Sequence, residues 1–98
     1  MKKSKFKNII DNGLKMNNSF MVVVVDREGS KQPEIIINPK ENFVEKMKYY
    51  DLAYNDDMEL INAKKNGISI RIIDVSMINY LIELAWMDLK RIAPLDLD

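Results

Sequence analysis

The chain has 98 residues, of which 47% are hydrophobic, and it carries 15 basic and 15 acidic side chains. This length predicts a single domain over residues 1–98, and the apolar content excludes a wholly disordered chain. The balanced charge excludes a strong overall field for nucleic acid or anionic lipid, and the lack of cysteine excludes disulfides and thiolate chemistry.

Residues 1–16 form a basic N-terminal arm that contains five lysines and one aspartate. Its apolar side chains recur at helical spacing and predict a short helix: Phe6, Ile9, Ile10 and Leu14. The basic start is not followed by the 7–15 apolar residues of a signal peptide, and no run approaches the ~20 needed to cross a bilayer. We therefore expect a cytoplasmic protein that does not enter a membrane.

An apolar run at positions 20–25, which ends in four consecutive β-branched valines, predicts the first strand. Because the run is continuous rather than alternating, it indicates a strand buried on both faces. Residues 26–33 are polar and contain Gly29 and Pro33, and residues 34–37 predict a second strand. Two strands joined by such a loop predict a hairpin.

The segment after the hairpin predicts a helix over residues 39–55. Asn38 is placed to cap it, Pro39 suits its first position, and Glu41 has the spacing of a capping box. Four residues form its core stripe: Phe43, Met47, Tyr50 and Tyr54. Tyr49 and Leu52 fall opposite that stripe and are candidate partner-binding residues.

The second half of the chain predicts two more strands and a helix. The strands are expected at 58–62 and 68–73, separated by a turn at 64–67, and the helix at 76–92 before a frayed tail at 93–98. The predicted order is (α)ββαββα. The natural arrangement is an α+β fold, with a four-stranded, largely antiparallel sheet and helices on one face.

The predicted last helix is apolar on two sides. Its second stripe consists of Met77, Tyr80, Leu84 and Met87. A helix with two apolar sides needs two covering surfaces. The second cover could be the N-terminal arm through Phe6, Ile9 and Ile10, a second copy of the chain in a homodimer, or a foreign partner, so these four residues are further candidates for partner binding.

Catalytic and metal-binding patterns are missing from the sequence. Histidine and cysteine are absent, which removes the commonest general base and the usual zinc ligands. The densest acidic group fits no cation-loop spacing: Asp51, Asp56, Asp57 and Glu59. We expect no catalytic residue, no metal and no cofactor.

The basic arm offers an alternative function. Lysines interleaved with an aromatic residue suit phosphate contacts and base stacking, so nucleic-acid binding would use Phe6 with Lys2, Lys3, Lys5 and Lys7.

Residues 35–74 resemble small proteins encoded by phages and prophages of Gram-positive bacteria. The resemblance rests on residues 35–42 and 49–57, on richness in Lys, Asn and Ile, and on the absence of Cys and His. It implies no catalytic residues. Small phage proteins of this kind often inhibit host enzymes or host defence stoichiometrically, anti-CRISPR proteins among them. The leading hypothesis is therefore a non-catalytic interaction module that binds and inhibits a host or defence protein.

Overall fold

A computed structural model of the protein describes residues 1–80. Its elements are α1 (Lys3–Lys15), β1 (Phe20–Arg27), β2 (Glu34–Pro39), a 3-10 turn (Lys40–Asn42), α2 (Phe43–Ala53), α3 (Ile61–Lys65) and β3 (Ile70–Ile78). The strands form an antiparallel sheet in the order β2–β1–β3. The α+β class and the antiparallel sheet are confirmed, but over residues 1–80 the sheet has three strands rather than four.

The central strand β1 is buried on both faces, as its continuous apolar run predicts. Met21, Val23 and Val25 face α1 and α2, where they join the main core with Phe6 and Tyr50. The alternate residues Val22 and Val24 are equally buried on the other face, in a smaller cluster with Ile78. Strand β1 therefore anchors both layers of the core.

The predicted hairpin of β1 and β2 is also confirmed. Val25 pairs with Glu34 next to the connecting loop, and Arg27 Nε donates to a Glu34 carboxylate oxygen at 2.7 Å. Gly29 in the connecting loop has a φ of 85°, a conformation that glycine adopts without strain.

Helix α1 extends unbroken through Gly13, although glycine costs about 1 kcal/mol in a helix interior. The helix packs against β3 and buries Phe6 and Ile10. The missing side chain of Gly13 permits this approach, because a Cβ there would lie 2.3 Å from Cγ of Met77.

The capping role predicted for Asn38 is wrong. Asn38 belongs to β2, where it pairs with Met21, and α2 begins only at Phe43, after the 3-10 turn. The strand continues through Pro39 because β1 offers Phe20 as its partner there. The buried Asn38 amide instead donates to the Met21 carbonyl oxygen at 3.3 Å and to the Tyr50 hydroxyl at 3.4 Å.

The strand predicted at residues 58–62 is replaced by a turn and a short helix. Met58 has a φ of 57°, which interrupts extended backbone, and α3 begins at Ile61. Asn55 determines this turn, because its side-chain oxygen accepts the backbone N–H groups of Asp57 at 3.0 Å and Glu59 at 2.9 Å. Glu59 and Leu60 each form only an isolated bridge, to Arg71 and Tyr54 respectively.

The hairpin turn predicted at residues 64–67 is the C-terminal end of α3. The backbone N–H of Ile68 donates to the Ala63 carbonyl at 2.9 Å, and that of Gly67 to the Lys64 carbonyl at 3.1 Å. Gly67 has a φ of 74°, the left-handed geometry with which many helices end.

The helix predicted to start at Ser76 is wrong at its N-terminal end, because β3 continues to Ile78. Val75 pairs with Val23, and Met77 pairs with Met21. A bulge leaves Ile73 without a partner, since Val25 pairs with Ile72 and Val24 with Asp74. Residues 81–92 of that helix, the tail at 93–98, Leu84 and Met87 lie outside the described residues.

Candidate interaction surface

The outward side of α2 exposes large apolar side chains. Val44 is 69% exposed, Tyr49 46% and Leu52 78%. At 100° per residue these three lie within about 140° of arc, opposite Phe43 and Tyr50, which face the core. Tyr49 and Leu52 therefore occupy the outer side that the helical periodicity predicts, although whether a partner binds them stays a prediction.

A groove of about 370 Å³ separates this side of α2 from α3. Tyr49, Leu52 and Ala53 line one wall, and Leu60, Ile61 and Asn62 line the other. The Asn55 turn creates the groove, because it ends the extended segment after α2 and turns the chain into α3. The sequence prediction missed Leu60 and Ile61 because it placed both in a strand.

Tyr49 is held by neighbouring aromatic rings. Its ring lies 5.3 Å from that of Tyr50 and 6.0 Å from that of Tyr54, both edge to face. Tyr50 also contacts Phe6 of α1 at 5.5 Å. A surface aromatic residue that is already packed loses little freedom on binding, which favours its use as an anchor.

The two inner tyrosines have altered acidity. Burial raises the pKa of Tyr54 above its ordinary value, and the neighbouring Tyr49 adds to the effect. Burial likewise raises the pKa of Tyr50, although the hydrogen bond from Asn38 partly opposes the shift. Both hydroxyls therefore stay protonated at neutral pH and serve packing and hydrogen bonding.

The second stripe predicted on the last helix does not begin as expected. Met77 lies in β3 and packs against the main core beside Gly13. Tyr80 follows β3 and is exposed, while Leu84 and Met87 lie beyond the described residues. Helical spacing from Met77 therefore no longer supports placing the four on one surface.

The basic arm is folded against α2 and the Asn55 turn. Lys2 forms an ion pair with Asp57, and Lys7 forms one with Asp51 at 2.7 Å. Lys3 donates to the carbonyl oxygens of Asp51 at 2.7 Å and Tyr54 at 2.5 Å, near the end of α2. Hydrogen bonds from Lys7 and Lys2 lower the pKa of Asp51 and Asp57, respectively.

These contacts weaken the case for nucleic-acid binding by the arm. Phe6 is buried in the main core, so the predicted base stacking would require the core to open. Three of the four candidate lysines, Lys2, Lys3 and Lys7, already interact with groups of α2 or the turn. Lys5 is exposed on the same helix.

The acidic residues are dispersed rather than convergent. Within residues 1–80, no group of three or more Asp and Glu side chains is arranged to hold a metal ion. Asp51 and Asp57 pair with lysines of the arm, and Glu59 pairs with Lys64 at 2.8 Å. Across the same described part of the chain, no helix has the length and apolar character needed to cross a membrane.

Comparison with protein-family models, with curated proteins and with solved structures finds no match to this chain. Its function must therefore be argued from its own surfaces. The most distinctive of these is formed by Val44, Tyr49 and Leu52 together with the groove walls Leu60 and Ile61, hereafter the α2–α3 surface.

Proposed function

We propose that the protein is a non-catalytic interaction module that binds another protein through the α2–α3 surface. The observation that carries this proposal is the exposure of Val44 and Leu52, 69% and 78%, on a helix whose opposite side already packs the core. Folding therefore does not require these side chains to be apolar. Burying each against a partner would contribute roughly 1.5–3 kcal/mol before the costs of association.

The chemistry of the surface favours a protein as its ligand. Tyr49 supplies a rigid aromatic ring, Leu52 supplies an aliphatic side chain, and the groove beside them can receive a side chain from a partner. Aromatic anchors set in an apolar centre with a charged rim are typical of protein interfaces. Glu45, Lys46 and Lys48 provide that rim along α2.

The rim favours a foreign partner over a second copy of the chain. In a symmetric dimer the same patch meets itself, so a rim with two lysines and one glutamate would face an identical rim that also has a net positive charge. Such like-charge contacts oppose association. Lys46 already lies 5.6 Å from the centre of the Tyr49 ring, so its charge is close to the apolar centre of the surface. A partner with an acidic rim would complement it.

The biological setting follows from the resemblance of residues 35–74 to small phage and prophage proteins. We propose that the partner is a host enzyme or a host defence protein, inhibited by one-to-one binding in the cytoplasm of the host cell. Anti-CRISPR inhibition is one form that such an activity takes.

Introducing a negative charge at Leu52 tests the proposal. Captures from host-cell lysate would compare the wild type with Leu52→Glu and with Met16→Glu, a control whose residue is equally exposed, at 76%, but lies at the end of α1. We expect the wild type and the control to capture one protein in about equal molar amounts. With Leu52→Glu the captured amount of that protein should fall at least ten-fold. The stability of both variants should stay within about 0.5 kcal/mol of wild type.

Two outcomes would contradict this proposal. Equal retention by Leu52→Glu and wild type would place the interface elsewhere. A wild-type dimer that Leu52→Glu converts to a monomer in sedimentation would assign the surface to self-association.

A further inference from the structure

A second concave feature lies on the other side of α2, between that helix and α1. This cleft has a volume of about 310 Å³. Its floor is apolar and is formed by Phe6 and Ile10 of α1 with Met47 and Tyr50 of α2. Around α2, Met47 and Asp51 lie about 100–160° from Tyr49 and Leu52, so the cleft is distinct from the groove between α2 and α3. Val44 and Lys48 lie between these two features.

The mouth of the cleft is cationic. Lys3 and Lys7 line it from α1, and Lys48 lines it from α2. Asp51 is the only acidic residue among those that line it. Asp51 accepts from Lys7 at 2.7 Å and lies 3.8 Å from Lys3. Lys48 forms no ion pair with any residue from 1 to 80. The Lys3 ammonium is held by the carbonyl oxygens of Asp51 and Tyr54, so Lys7 and Lys48 are the cations most open to an entering anion.

We propose that this cleft binds a small organic anion, a carboxylate with a short apolar chain, and that this activity is independent of the protein interface. The apolar chain would lie over the floor, and the carboxylate would meet the lysines at the mouth. A volume near 310 Å³ is at the lower end of small-molecule sites, which suits a ligand of about ten non-hydrogen atoms.

The depth of the floor favours a small molecule over a protein surface. Phe6, Ile10 and Tyr50 are almost completely buried and close the bottom of the cleft, so Met47 supplies most of the apolar floor that a narrow chain can touch. A flat partner surface or a second copy of this chain would meet the lysine side chains first. The charge of the mouth then selects an anion over a neutral or cationic molecule of the same length.

Asp51 occupies the position that the ligand carboxylate would take. Its pairing with Lys7 holds one ammonium group in an internal contact, and its own charge repels an entering anion. Removing the Asp51 charge while keeping its shape should therefore strengthen anion binding. If the Asp51–Lys7 ion pair only stabilised the fold, Asp51→Asn would not be expected to strengthen anion binding.

Titration of the full chain with octanoate tests the proposal. Binding is monitored through the amide chemical shifts of the protein and measured by calorimetry. Octanol and octylamine are the matched neutral and cationic probes. We expect shifts centred on Phe6, Ile10 and Met47, and octanoate binding at least about five-fold tighter than octanol. Asp51→Asn should tighten octanoate binding about three-fold, and Lys48→Glu should weaken it about ten-fold.

Lys48 is exposed, so Lys48→Glu should fold normally. Melting curves would establish that Asp51→Asn is also folded at the titration temperature. The proposal is overturned if octanoate at 10 mM causes no shifts at the cleft, if octanol binds as well as octanoate, or if Asp51→Asn weakens the binding. Loss of protein capture in Leu52→Glu with octanoate binding intact would separate the two surfaces.

Discussion

Gly13 is the residue at which α1 and β3 come closest. A Cβ at this position would lie 2.3 Å from Cγ and 2.4 Å from Cβ of Met77, distances that real side chains do not adopt. The glycine is therefore required by packing, although it lowers the intrinsic stability of the helix.

Gly13→Ala should destabilise the protein even though alanine is the better helix former. The gain in helix propensity is about 1 kcal/mol, whereas overpacking against the fixed β3 strand costs about 1–3 kcal/mol. We expect a net loss of up to about 2 kcal/mol in the free energy of unfolding measured with urea. Asn12→Ala, one position earlier on the exposed side of α1, is the control and should be neutral or slightly stabilising. A more stable Gly13→Ala variant would show that α1 does not pack against Met77 in this way.

Asn38 shows how far single-residue signals can predict the structure. Its sequence context, followed by Pro39 and Glu41, matches a helix start. The deciding contacts are long-range: pairing with Met21 in the sheet and a hydrogen bond to Tyr50 of α2. Local sequence contains no signal for either contact, so tertiary structure overrode a valid capping pattern.

At the scale of elements, hydrophobic periodicity predicted helices and strands correctly where one period continues without interruption along the sequence. The strand at positions 20–25, the hairpin and the inward side of α2 follow from runs that keep one period. The outer position of Tyr49 and Leu52 could be predicted for the same reason. The groove wall at Leu60 and Ile61 could not, because it depends on the Asn55 turn.

The bulge at Ile73 explains the error at the end of the described chain. Ile70 and Ile72 face the main core, and after one unpaired residue Val75 and Met77 face it again. The extra residue breaks the period of two, so the sequence after Asp74 loses its strand pattern and resembles a helix start.

The extent of β3 can be tested with substitutions on its two faces. Val75 is buried in the main core, so Val75→Asn should cost about 2–4 kcal/mol of unfolding free energy. Ser76→Asn, one residue further on the opposite face and only half-buried, should cost less than about 1 kcal/mol. Equal costs at the two positions would contradict the alternation that β3 requires.

At the scale of the whole molecule, the aromatic cluster of Tyr49, Tyr50 and Tyr54 makes the stability of the fold depend on pH. Burial raises the pKa of Tyr50 and Tyr54 in the folded protein, while an unfolded tyrosine titrates near 10. Below pH 10 both states keep the phenolic protons, so this contribution to stability is fully present. Above pH 10 the unfolded chain loses them first, and the free energy of unfolding falls as pH rises.

We therefore expect alkaline destabilisation to begin near pH 10, with a slope of at most about 1.4 kcal/mol per pH unit for each of the two tyrosines. Urea unfolding at a series of pH values would measure it. The variant Tyr54→Phe isolates the contribution of the Tyr54 hydroxyl, and its slope should be shallower than that of wild type. Identical slopes would contradict the burial of the Tyr54 hydroxyl.

The central claim is that the α2–α3 surface meets another protein. Site-specific photo-crosslinking inside the host cell tests it most directly, with a photoreactive residue replacing Leu52 and, in a separate variant, Met16. These positions are equally exposed, on α2 and at the end of α1. We predict one discrete adduct with a foreign protein from position 52 and none with that protein from position 16. The account would be contradicted if position 52 gave no adduct, gave only an adduct with a second copy of the chain, or captured the same proteins as position 16.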